Sequence, residues 1–225
     1  MSLETVTAKV FLIAVPAAFL AIFVLLGREF DYPEILRQPP EAILTMYRAG
    51  GKRLRLLWYA STLVAVAFLP VVALVHLLLS PSGFAFLLVA TMFGFFAGAA
   101  QIMGFLRWVF LVPYLADRYG DPSASASTRE AVIVVFEGAH RFLGKGLGEH
   151  LGYLFTGLWT LLLVPAFAGS AVFDSGVARF GILPGILILV GLFDRVGWRM
   201  AGPANAIGYV LWALWLIALG VSLLL

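Results

Sequence analysis

The chain of 225 residues is 62% apolar and only 12% charged, with a mean hydropathy of +1.01. A soluble domain is nearer half apolar and a quarter charged, and one of this size could not hide so much apolar surface, which argues against a soluble enzyme, a disordered chain or a nucleic-acid-binding domain. The 15 Lys and Arg against 12 Asp and Glu form too small an excess for a polyanion site, and the absence of Cys excludes disulfides, thiolate metal sites and Cys nucleophiles.

A helix that crosses a bilayer needs about 20 mostly apolar residues. Six stretches meet or approach that length: 8–26, 56–79, 84–106, 147–168, 178–198 and 204–225, within one membrane domain covering 1–225. Their apolar runs are continuous, without the alternation of a membrane barrel strand, so all six read as helices. The first carries Glu4 and Lys9 at its leading edge and does not read as a signal peptide. The fifth is the shortest. Its uncharged core Phe180–Phe193 reaches spanning length only if Arg179, Asp194 and Arg195 lie at the interfaces.

Between the first two spans, Pro33, Pro39 and Pro40 precede a short helix over 41–48, then the pair Gly50 and Gly51 and the basic run Lys52, Arg53 and Arg55. That run reads first as an anchor for anionic lipid head groups. His76 stands alone near the far end of the second span and reads as a packing or interface residue. After the third span the chain stays apolar through RWVFLVPYLADRY, residues 107–119. The turn around Pro122 and the S-x-x-E spacing of Ser127 and Glu130 predict a new helix running into the fourth span, with a weak point at Gly144, Gly146 and Gly148. The fold expected is an all-α integral membrane protein, six transmembrane helices with a long helical hairpin of helices 3 and 4 protruding into the cytoplasm. Equal distances from Pro122 put Arg107 opposite Glu137–His140, and Gly94 and Gly98 opposite Glu149 and His150.

Basic residues set orientation. The loops after spans one, three and five carry twelve, and the other side has only Lys9 and Arg179. This places the chain in the inner (plasma) membrane with its basic loops cytoplasmic and both termini outside.

Ionisable groups within spans are costly and usually face a bundle interior. The informative set is Arg107, Glu137, His140, Glu149 and His150, with Gln101, Tyr153 and Asn205 beside them. Three readings compete. In one, Arg107 neutralises Glu137 or Glu149 in a structural salt bridge. In another, His140, Glu149, His150 and Glu137 hold a divalent metal such as Zn or Fe or relay protons, as E-x-x-H spacing does in di-metal bundles. In the third, Arg107, Gln101 and Tyr153 form a pocket for an anionic or lipid head group. The G-x-x-x-G pairs Gly94/Gly98, Gly148/Gly152 and Gly181/Gly185 suit close helix packing within one subunit or a homo-oligomer face. No P-loop, dinucleotide fingerprint or nucleophile elbow is present, and Ser61 and Ser80 have no His partner in sight.

The strings RWVFLVPYLADRY at 107–119, Asp121–Pro122, TREA at 128–131 and GEHLGYLFTGLW at 148–159 resemble the bacterial multi-pass membrane family described as domain of unknown function 4386. The resemblance covers nearly the whole chain and implies a helical membrane protein without assigning a reaction. That family's pattern often has Gln at the position of Glu137, which implies that His140, Glu149 and His150 are the stronger ligand candidates. The functions expected are a metal- or proton-linked membrane enzyme, a small-solute transporter or channel, and a membrane scaffold acting through its basic loops.

Overall fold

A computed structural model describes residues 3–223, so the last two residues of the expected sixth span lie outside it. Among the described residues every regular element is helical. Six helices are long and apolar enough to cross a membrane. The first is α1 (Leu3–Phe30) and the second α2 (Pro40–Leu79). The third joins α3 (Leu87–Leu106) through a π-helical turn at Arg107–Leu111 to α4 (Val112–Tyr119). The fourth joins α5 (Ala126–Ala139) through a π-helical stretch at His140–Leu151 to α6 (Gly152–Ala168). The fifth is assembled from α7 (Ser175–Phe180), α8 (Ile182–Val190) and a 3₁₀ segment at Gly191–Val196, and the sixth is α9 (Ala201–Ser222). The 33-residue third helix and the 43-residue fourth run to about 50 and 65 Å, well beyond about 30 Å of hydrocarbon.

The helices form a closed ring. α1 packs on α2, α2 on α3, α3 on α6, α6 on α8, α8 on α9, and α9 returns to α1. Chain neighbours are ring neighbours because short connections favour adjacent packing. The half of the ring away from the basic loops is filled. There Trp159, Phe167, Trp215, Leu163 and Leu219 are buried in one apolar cluster. At the basic end a second cluster centres on Trp58 and Trp108, stacked at 4.7 Å and 11°, with Phe30 edge-on to Trp108 at 5.3 Å. The Tyr47 hydroxyl donates to the Trp108 carbonyl and ties α2 to the π-helical turn.

Glycines set the closest approaches. A Cβ on Gly94 would lie 2.7 Å from Trp159 and Val72, and one on Gly181 2.6 Å from Trp215. Gly104 and Gly148 meet backbone to backbone, since a Cβ on Gly104 would stand 2.9 Å from Gly148 Cα. These contacts lie within one chain, whereas Gly152 has no close neighbour outside its own helix. α2 breaks at Gly51, where φ is 54° and ψ −143°. No L-residue adopts that conformation cheaply, so Gly51→Ala should lower unfolding stability by about 1–3 kcal/mol. Gly138→Ala, an ordinary helical position with open space around it, should instead stabilise by about 0.5–1 kcal/mol. Thermal midpoints of the two purified variants check the contrast.

Two details differ from the sequence expectation. The helix after the turn is capped by Ser125, whose Oγ accepts from the Thr128 amide at 3.1 Å, so it starts before the expected S-x-x-E site at Ser127. The hairpin register is also shifted. Gly104 meets Gly148 and Arg107 meets Gly144, while Gly94 faces Trp159. Each third-helix partner falls seven to nine residues later than counting from Pro122 gives, and most of that offset is already present at Gly144, near the start of the π-helical stretch.

Candidate functional site

The ring is not filled at its basic end. A chamber of about 200 Å³ opens there and is lined from all six spans. Its deep wall is apolar and aromatic, formed by Val15, Phe19, Phe68, Trp212 and Leu216. Its outer wall carries Arg107, Tyr32, Tyr153, Tyr209, Gln101 and Asn205, and its mouth Arg37, Lys145, Glu149, Asp194 and Arg195. The lining cations outnumber the acids four to two.

Arg107 is the focus. It is 7% exposed on the π-helical turn of the third span. A Cβ on Gly144 would lie 2.7 Å from its Nη2, so the π-helical stretch opposite cradles the guanidinium with a bare backbone. One Nη1 donates to the Gly104 carbonyl, and the Trp108 ring lies 5.0 Å from Cζ. Nε is buried without a partner, and among the described residues no carboxylate comes within 4 Å of the guanidinium. The salt bridge expected to Glu137 or Glu149 is therefore not formed. Glu149 instead pairs at 2.8 Å with Arg195 of the 3₁₀ segment of the fifth span. Glu137 faces outward on α5.

The mouth is bounded by the loop after α1. Arg37 approaches Asp194 at 4.0 Å, and its guanidinium lies on Gly202 at the start of α9. Leu36 O contacts His140 Nε2 at 3.2 Å. The Tyr32 ring stands edge-on to Trp58 at 5.5 Å and to Phe23 at 5.8 Å. Burial first, and then the Glu149 charge, push the Tyr32 phenol up to about 12 while Arg107 opposes them, so it is a neutral hydrogen-bonding group at pH 7. Further in, Thr156 Oγ1 accepts from Gln101 Nε2 at 3.4 Å and from the Tyr209 hydroxyl at 3.5 Å, and Trp212 Nε1 donates to Thr160 Oγ1 at 2.9 Å. Asn205 Nδ2 donates to the Ile188 carbonyl at 2.9 Å and holds α9 to α8.

Arg107, Gln101 and Tyr153, the candidates for a binding pocket, all line this one chamber. The four candidates for a metal site are dispersed. His140 is turned to Leu36 O and stacks on Phe136 at 5.5 Å, Glu149 is engaged by Arg195, and Glu137 and His150 face outward. The weak point expected at Gly144, Gly146 and Gly148 is instead part of an unbroken π-helical stretch, and it does not bring His140 and His150 together. Among the described residues no group of three His, Cys, Asp or Glu could hold a metal ion, so a Zn or Fe site finds no support in this geometry. His76 bonds Thr91 at 2.7 Å, as a packing residue does. Sequence reasoning missed Tyr32, Arg37 and Tyr209. Arg37 and Tyr32 sit in a loop with no periodicity, and Tyr209 looks like any aromatic in an apolar run.

Glu149→Gln removes only a partly exposed pair and should change stability by about 0–1 kcal/mol in a denaturation experiment. A larger loss would show that Glu149 also neutralises Arg107.

A family model described as Domain of unknown function (DUF4386) matches residues 7–220. No curated protein matches the chain, and no solved structure does.

Proposed function

The chain belongs to the DUF4386 family, and we propose that it is a membrane protein whose central chamber binds an anionic ligand, entering from the side of the basic loops and held by Arg107. The observation that carries this reading is a nine-tenths buried guanidinium that lines a cavity and, among the described residues, has no carboxylate within 4 Å. A buried cation is costly without a counter-charge, and a carboxylate or phosphate supplies one in the two-pronged geometry a guanidinium fits. The chamber also has one end. Its lining stops at Val15, Phe68 and Leu216, and beyond them the ring is packed with aromatic side chains. This favours a binding or reaction pocket over a through-going channel. The basic loops lie on the cytoplasmic side in this reading, by the twelve-to-two distribution of Lys and Arg.

The native chain has no Cys, so Ala206→Cys places one thiol on the chamber wall. A negatively charged methanethiosulfonate should modify it at least tenfold faster than a positively charged one of similar size, and Arg107→Met should abolish that preference. A thiol that favours the cation, or a preference indifferent to Arg107, would remove the anion-binding reading.

A further inference from the structure

We infer that the chamber takes a small aromatic acid, one ring bearing a single carboxylate or phosphate, with the acidic group at Arg107 and the ring among the aromatic side chains of the wall. This rests on the anion-binding reading and adds to it the chamber's volume and the chemistry of its lining. The volume limits the occupant. An apolar cavity of about 150 Å³ takes a single benzene, and the chamber measures about 200 Å³. The difference leaves room for one acidic group on the ring. A second ring would need about twice the benzene cavity, so a two-ring acid is too large.

The lining favours an aromatic ring over a saturated one. Nine of the 33 residues that line the chamber are aromatic, against 14% of the chain. Five of them form a continuous run from the loop after α1 into α9. Tyr32 meets Phe23 at 5.8 Å, Phe23 meets Phe19 at 6.1 Å, Phe19 meets Tyr209 at 6.2 Å and Tyr209 meets Trp212 at 6.1 Å. The polar atoms at the α9 end of that run are already engaged, the Tyr209 hydroxyl with Thr156 and Trp212 Nε1 with Thr160. What remains on offer there is ring surface, and a planar ring packs on ring surface with a gain beyond area burial that a saturated ring lacks. The acidic group finds hydrogen-bonding capacity left unused. Arg107 Nη2 and the hydroxyls of Tyr32 and Tyr153 make no hydrogen bond among the described residues, and all three side chains line the chamber. One carboxylate or phosphate can accept from a guanidinium and two phenols together. A small anion without a ring would leave the aromatic run facing water. A neutral arene would leave Arg107 without its counter-charge.

The test measures equilibrium binding of radiolabelled benzoate and phenyl phosphate to the full chain in phosphatidylcholine nanodiscs. At least one of the two should bind saturably, and the tighter of them identifies the acidic group. With that group kept, the cyclohexyl analogue should bind about two- to tenfold more weakly, the range of an aromatic contact. The ringless anion, acetate or inorganic phosphate, should bind more weakly by about tenfold or more, since it buries no ring. The biphenyl analogue should lose about tenfold or more by overfilling the chamber. Arg107→Gln should weaken the one-ring acid about ten- to hundredfold, the range of a lost charge-assisted hydrogen bond. Ala206→Trp, which fills the chamber and leaves the cation in place, should weaken it as much. A biphenyl, cyclohexyl or ringless anion that binds as tightly as the one-ring acid overturns the inference, as does the failure of both one-ring acids to bind saturably. If any of these occurs while the charge preference at Ala206→Cys persists, the anion-binding reading stands and only the one-ring aromatic occupant falls. Loss of that preference as well removes both.

Discussion

Arg107→Met should weaken anion binding and, in the same protein, raise the thermal midpoint. The guanidinium is removed from bulk water and, among the described residues, finds no carboxylate within 4 Å and no hydrogen-bond partner for Nε. Desolvating a charge under those conditions costs several kcal/mol, and replacing buried charges by apolar groups of similar volume often stabilises by about 1–4 kcal/mol. Water in the chamber offsets part of that cost, so the gain should fall toward the lower end of the range. Binding should weaken about ten- to hundredfold. A group kept at the expense of stability is kept for a ligand. A variant that melts lower and binds as before would show that Arg107 is a structural prop.

Gly104→Leu should be strongly destabilising, at about 3 kcal/mol or more. Even a methyl at Gly104 would lie 2.9 Å from Gly148 Cα, and backbone cannot rotate aside as a side chain can. The third and fourth helices would have to separate where their two π-helical segments meet. Gly144→Ala makes the informative comparison. Its new methyl would meet the end of the Arg107 side chain at 2.7 Å, and that end can swing away. Gly144→Ala should therefore keep most of the stability and lose anion binding, because the guanidinium no longer rests in its cradle. Equal stability losses in the two variants would contradict the assignment of Gly104 to packing and Gly144 to the site.

The number of crossings and the unusual residues were legible in the sequence because each depends on local composition. Six apolar runs bounded by charge became six long helices, and the Gly50–Gly51 pair became the break in α2. Arg107 stood out as a cation inside an apolar stretch and occupies the wall of the chamber. What local pattern could not supply was register. The π-helical stretch at His140–Leu151 has no hydropathy signature, and along it Glu149 pairs with Arg195 while His150 points away. The chamber depends on ring closure between α9 and α1, helices at opposite ends of the chain. Tyr209 became a site residue only through that closure. The loop over 31–38 carried no periodicity at all, and its contribution of Tyr32 and Arg37 follows from the contacts that pin it to Trp58, His140 and Asp194.

The distance from an anion to the Arg107 guanidinium tests the anion-binding role of the chamber most directly. Solid-state nuclear magnetic resonance on the protein in bilayers, with ¹⁵N-labelled arginine side chains and a saturating phosphate monoester, measures that distance through the ¹⁵N–³¹P dipolar coupling. A phosphorus should lie within about 4 Å of guanidinium nitrogen, as a hydrogen-bonded arginine–phosphate pair requires, and the coupling should be lost in Arg107→Met. A coupling that survives Arg107→Met would contradict the assignment, as would the absence of any coupling in the native protein.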